Sequence, residues 1–247
     1  MELNEKAALI TGGGTGIGRE TALLLACRGV DVAVNYRRSK AEAEEVVSEI
    51  ESLGRRALSV QADVADNDAV TRMVDETVAA FGRLDILVNN AGTTRYIDMK
   101  DLDAVDDEAW ERTMAVNVKG PFQCTRAAAP HMQEAGEGAV VNVSSLAAQL
   151  ARGSSLPYCA SKAALNVVTR ALARALAPVI RVNAVAPGVV DTRWVADLKG
   201  FVRSAQMQTP MRRIAAPEDV AKMIVSLIAD HDFVTGQIVT VDGGISA

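Results

Sequence analysis

The chain reads as a doubly wound α/β protein, one domain over residues 1–247 built on a seven-stranded parallel sheet. Two observations carry that reading. Short apolar runs rich in valine and isoleucine recur seven times, and amphipathic helical patterns separate them, so strand and helix alternate from end to end. Each run is apolar throughout rather than at every second position, as expected of strands covered by helices on both faces. Parallel strands joined by helices imply right-handed crossovers. No low-complexity linker, internal repeat or shift of composition marks a second domain.

The elements follow in order. Residues 7–10 form the first predicted strand, and the glycine-rich stretch 11–18 leads from it into a helix over 19–28. Residues 32–34 and 57–60 form the next two strands, each followed by a helical pattern, at 40–53 and 69–81. Strands are expected again at 86–88, 139–143 and 180–185, with a helix over 160–177 before the last of these. Residues 188–213 resist assignment. A long ordered insertion in a compact domain is commonly a lid or binding loop, and its Trp194, Phe201, Met207 and Met211 suggest a mobile helix pair over a substrate. Pro217-Glu218-Asp219 opens a last helix, and residues 238–241 form the seventh strand, at a sheet edge.

Composition narrows the function. Hydrophobic residues make up 49% of the chain, enough for a sizeable core, and 31 acidic against 26 basic residues leave a formal charge of −5. Such a balance supplies no basic field for nucleic acid or an anionic membrane. Cys27, Cys124 and Cys159 are odd in number and lack metal-ligand spacing, so neither a disulfide framework nor a metal site is expected. With no signal peptide pattern and no apolar run of ~18 residues, the expectation is a soluble protein of the reducing cytoplasm.

In a doubly wound sheet, ligands lie beyond the carboxyl ends of the strands. The unusual clusters of this chain all fall there. Gly12, Gly16 and Gly18, with Thr15 and Ile17 between them, stand where a strand turns tightly into a helix whose free amides attract phosphate. That context makes the turn a dinucleotide site. An NAD site usually carries an acidic residue about 20 residues further on, at the end of the second strand. Here the chain reads Asn35-Tyr36-Arg37-Arg38-Ser39, and guanidinium suits a 2′-phosphate, so NADP is favoured over NAD.

Tyr158 and Lys162, four positions apart at a helix start, share one face. A free phenol has a pKa near ~10 and is a poor base at neutral pH, and an ammonium beside it favours the phenolate. Ser145, just past the fifth strand, can hydrogen-bond the same substrate oxygen. The three together point to proton transfer at a carbonyl or alcohol. His131 and His231 lie away from the strand ends and read as surface residues, as does the charged run 101–111, and Cys159 reads as a small packing residue.

The chain resembles the short-chain dehydrogenase/reductase family in its single-domain, Rossmann-like form over nearly its whole length. Five motifs carry the resemblance: the glycine turn, Asn89-Asn90-Ala91-Gly92, Asn117, Ser145 with Tyr158-Cys159-Ala160-Ser161-Lys162, and Pro187-Gly188 ahead of Thr192. The closing Val241-Asp242-Gly243-Gly244 resembles the branch containing 3-oxoacyl-(acyl-carrier-protein) reductases and glucose dehydrogenases. The resemblance implies a ketoreductase with Tyr158 as general acid, Ser145 polarising the carbonyl, Lys162 holding the ribose and lowering the tyrosine pKa, and Asn117 anchoring a water relay. It also implies that Asp63 and the neighbouring Val64 bind adenine, that Asn89 and Gly92 line the adenosine ribose side, and that Val190 and Thr192 hold the nicotinamide carboxamide beside Pro187 and Gly188. A homotetramer is implied as well.

A ketone, a 3-oxoacyl thioester among them, is the expected substrate. Carrier-linked relatives commonly present basic residues just before the fifth strand and at the end of the following helix, whereas residues 133–137 and 175–179 here contain no lysine or arginine. Lys199, Arg203, Arg212 and Arg213 offer a substitute patch. Two other readings stay open: a sugar-nucleotide epimerase-like enzyme, and a non-catalytic NADP-sensing regulator.

Overall fold

Residues 1–247 are all described by a computed structural model. Its sheet contains β1 (Ala7–Ile10), β2 (Asp31–Tyr36), β3 (Ala57–Gln61), β4 (Ile86–Asn89), β5 (Gly138–Val143), β6 (Ile180–Pro187) and β7 (Ile238–Val241). All neighbours pair in parallel, in the order β3-β2-β1-β4-β5-β6-β7. Each strand expected from an apolar run is present.

Alternation within these short strands builds two cores. Ala8 and Ile10 of β1, with Val32 and Val34 of β2, face α1 (Gly16–Cys27), α2 (Lys40–Ser52) and α9 (Pro217–Ala229) through Leu25, Ile50 and Ile224. Ala7 and Leu9, with Ala33, face the opposite way, onto α3 (Asn67–Phe81), α5 (Gly120–Glu134) and α7 (Leu156–Leu176). Burying a leucine or isoleucine side chain fully contributes about 1.5–3 kcal/mol, so neither face of the sheet could be left bare.

Several elements differ from expectation. The helix expected at 160–177 begins instead at Leu156, because the Ser155 hydroxyl caps it by accepting the Tyr158 amide (3.4 Å) and Pro157 suits the first turn. Tyr158 therefore sits in the first turn, with Lys162 one turn on. The insertion contains one helix, α8 (Lys199–Gln208), rather than a pair. Its base is pinned by a bridge from Val190 to Ala215, with hydrogen bonds from Asp191 N to Ala215 O (2.8 Å) and from Ala215 N to Val189 O (3.0 Å). Between β4 and β5, α4 (Asp107–Met114) runs into α5 through a π-helical turn, Ala115–Lys119, which carries Asn117. A four-residue helix, α6 (Ala147–Leu150), follows Ser145.

The strand order reverses at β1, which lies between β2 and β4. A crevice is expected beyond the carboxyl ends of such a pair. One opens there.

Candidate active site

The cavity at the switch point has a volume of about 1490 Å³ and runs from the end of β2 to α8. Its floor is the glycine turn, where Gly12 and Gly16 adopt φ of +62° and +56°, a region glycine enters without strain. Asn90 clamps the turn from β4, its Nδ2 donating to the carbonyls of Thr11 and Gly12 at 2.9 Å each. Asn35 Oδ1 accepts the Gly12 amide (3.2 Å) from the β2 side. A Cβ on Gly18 would lie 2.5 Å from the Gly12 carbonyl, so that glycine packs the helix onto the turn rather than lining the cavity. Thr15 makes no side-chain cap and the first turn of α1 has no acidic residue. The amides of that turn are left to a ligand, and the dipole favours an anion.

At the β2 end, Arg37 Nε meets Asp63 Oδ2 at 2.9 Å and Arg112 Nη2 meets the same oxygen at 2.8 Å. Burial alone would raise the Asp63 carboxyl, but the Ala65 amide and the two guanidiniums outweigh it and hold the group below the usual carboxylate range. Arg38 is exposed and forms no ion pair. Val64 lines the cavity beside Asp63, and the Gly188, Val190 and Thr192 segment forms the opposite lip, where Pro187 ends β6. A Cβ on Gly16 would come within 3.2 Å of Thr192 Cγ2, so the two lips nearly meet there.

The reactive group lies deeper. Ser145 Oγ accepts the Ala147 amide (3.1 Å) and stands beside the Tyr158 phenol. Burial pushes Tyr158 up to about 12, and the hydrogen bond with Ser145 opposes that only in part. Lys162 donates to the Val143 carbonyl at 2.7 Å, its Nζ 5.7 Å from the centre of the Tyr158 ring. Burial draws Lys162 down to about 8. The expected lowering of the tyrosine pKa by Lys162 is absent from this arrangement: the ammonium is turned to a carbonyl, and desolvation dominates both groups. The result is a phenol protonated at neutral pH, facing a cavity and flanked by a hydroxyl.

Two expected site residues lie elsewhere. Asn89 does not line the cavity; it is buried under the sheet, its Nδ2 donating to Asn142 Oδ1 (2.8 Å) and Thr125 Oγ1 (3.3 Å). Alternation at the end of β4 sends Asn89 to the helix face and leaves Asn90, Ala91 and Gly92 on the rim. Asn117 is likewise fully buried behind the wall, its amide exchanging hydrogen bonds with the backbone of Thr93 (2.9 and 3.0 Å) and donating to Ser161 Oγ (3.0 Å). It braces the Thr93 loop. Conversely, Asn35, Arg112 and Tyr96 have no local signal in the sequence. Tyr96 donates its hydroxyl to the Trp194 carbonyl (2.9 Å), and the Trp194 indole stands edge-on to Tyr158 with centroids 6.2 Å apart.

No cluster of His, Cys, Asp and Glu is placed to hold a metal, and no helix is long and apolar enough to cross a membrane.

Residues 12–246 match the family model described as enoyl-(acyl carrier protein) reductase. The chain is 40% identical over 243 residues to a 3-oxoacyl-(acyl-carrier-protein) reductase of Staphylococcus aureus, covering 97% of this chain and 98% of that one. It is 42% identical over 247 residues to a cis-4-hydroxycyclohexanecarboxylate dehydrogenase of Sinomonas cyclohexanicum, covering 98% and 97% respectively. A short chain dehydrogenase of Burkholderia cenocepacia, solved in complex with NADP, superposes with a TM-score of 0.90 at 38% identity, covering 100% of both chains. The chain belongs to the short-chain dehydrogenase/reductase family of oxidoreductases.

Proposed function

We propose that the protein interconverts a ketone and a secondary alcohol with NADP(H), Tyr158 serving as general acid in reduction and general base in oxidation. The observation that carries this reading is the half-buried Tyr158 phenol beside Ser145 in a cavity whose other end is built for a dinucleotide. The free amides of the glycine turn would hold the pyrophosphate, Arg37 and Arg38 the 2′-phosphate, Asp63 and Val64 the adenine, Lys162 the ribose hydroxyls, and Val190 and Thr192 the carboxamide. When bound, the reduced nicotinamide supplies the hydride.

The chain's own residues do the rest. Ser145 donates a hydrogen bond to the carbonyl oxygen, polarising it, and Tyr158 gives that oxygen its proton as charge develops. Lys162, an ammonium below about pH 8, would hold the ribose hydroxyls rather than tune the phenol. A solved relative that binds NADP, and relatives named as a reductase and a dehydrogenase, support the reading. The Staphylococcus aureus relative favours a 3-oxoacyl thioester, while the absence of lysine and arginine at 133–137 and 175–179 favours a small, free ketone.

The test is oxidation of NADPH, against NADH, over a panel of ketones and acyl thioesters. NADPH is expected to be the better cofactor. Arg37→Ala should weaken NADPH by about 1.5–3 kcal/mol, the scale of a hydrogen bond to a charged group, and leave NADH nearly unchanged. Equal losses for both cofactors, or a wild-type preference for NADH, contradict the assignment.

A further inference from the structure

Beyond Tyr158 the cavity is walled by Ile97, Leu146, Leu150, Trp194, Leu198 and Phe201. At the exposed rim of these groups stands Arg152, which lines the cavity and whose guanidinium makes neither a hydrogen bond nor an ion pair. The other guanidiniums on the cavity wall belong to its dinucleotide half: Arg37 and Arg112 are bound to Asp63, Arg193 donates to Ser39 Oγ (3.0 Å), and Arg38 follows β2.

The backbone on either side of Arg152 is constrained. Ala151, which ends α6, has φ of +48°, a left-handed conformation that ordinarily favours glycine. The next residues are tied down: the Ser154 carbonyl accepts the Ile97 amide (2.8 Å) and its hydroxyl pairs with Thr94 Oγ1 (2.6 Å). A Cβ on Gly153 would lie 3.5 Å from Tyr158 Cδ1, so Arg152 is one residue from the wall that touches the acid.

We propose that the substrate is a small apolar ketone bearing a carboxylate, and that Arg152 receives that carboxylate while Tyr158 addresses the carbonyl. Guanidinium pairs with carboxylate through two parallel hydrogen bonds, which fixes orientation as well as adding affinity. Asp98 also lines this part of the cavity, but its carboxylate accepts the Lys100 amide (3.0 Å) and forms no ion pair with Arg152. The proposal rests on the ketone and alcohol reading for its chemistry, though not for the binding it requires.

The experiment uses matched probes. Reduction of 4-oxocyclohexanecarboxylate is compared with that of its methyl ester, and calorimetry compares cyclohexanecarboxylate with methyl cyclohexanecarboxylate in the presence of NADP⁺, without turnover. Wild type is expected to favour the acid over the ester at least tenfold in kcat/KM and in affinity. Arg152→Ala should bring both ratios near one, chiefly through KM, Arg152→Lys should keep part of them, and Asp98→Asn should leave or increase them. Equal treatment of acid and ester by wild type overturns the proposal, as does a preference that survives Arg152→Ala. An Arg152→Ala loss seen with acetoacetyl-coenzyme A but not acetoacetyl-N-acetylcysteamine, without any acid preference, overturns it in favour of a carrier phosphate. If the acid binds through Arg152 but no ketone in the panel is reduced, the carboxylate site stands and the catalytic reading falls.

Discussion

Lys162 shows how much a functional residue costs its own fold. Burial holds its pKa near 8, below the ordinary 10.5, so between those values the unfolded chain keeps a proton that the folded chain has shed. Raising the pH through that window therefore favours the folded state, by up to about 1.4 kcal/mol per pH unit for one proton. Tyr158 acts in the opposite sense from 10 to about 12, where the folded chain keeps the proton and stability falls. Unfolding of the cofactor-free protein in urea at pH 7, 8.5 and 10 should show wild type gaining on Lys162→Met as the pH rises. Parallel curves would mean that Lys162 is not desolvated as described. At this scale the sequence was a good guide to which residue types gather at the site and a poor one to their pairing. Arg37 and Asp63 stand 26 positions apart, and nothing local says that they meet, or that Arg112 joins them. Asn89 and Asn90 are chemically identical neighbours, and only the pleat decides which one faces the cavity.

The elements divide by how they are buried. The strands were legible because both faces are covered, which makes every position apolar, as in the Ala-Ala-Leu-Ile of β1. α5 was not, because its buried face is made of Gly120, Pro121, Gln123, Cys124, Thr125 and small alanines, which leaves little apolar periodicity. α8 was hidden for the opposite reason: Ala205 is its one buried residue, so no stripe exists to be read. That helix meets the rest of the molecule through loops, and the Tyr96 hydroxyl on the Trp194 carbonyl is a contact between its approach segment and the loop after β4. A net hydrogen bond contributes about 0.5–1.5 kcal/mol, so Tyr96→Phe should raise substrate KM by roughly two- to tenfold while leaving cofactor affinity alone. A change confined to cofactor affinity would contradict a latch on the substrate side.

For the whole molecule, the uncovered surfaces matter most. β7 is an edge strand whose four residues are all half-buried, and Phe233, just before it, is fully exposed. Phe122 on α5 and Val167 on α7 expose further apolar area. Unprotected edges and apolar faces are usually covered by a symmetric partner, and a homotetramer is expected. Light scattering at micromolar concentration should return about four times the 26.1 kDa chain mass, and a single-chain particle would refute the expectation. The claim on which the rest depends is that the molecule delivers a proton from Tyr158 to a carbonyl oxygen. Tyr158→Phe removes the hydroxyl while keeping the ring against Trp194. General acid catalysis typically contributes 10²–10⁴-fold, so ketone-dependent NADPH oxidation should fall by at least about a hundredfold with NADPH affinity little changed. A variant that keeps a third or more of wild-type turnover would contradict the account.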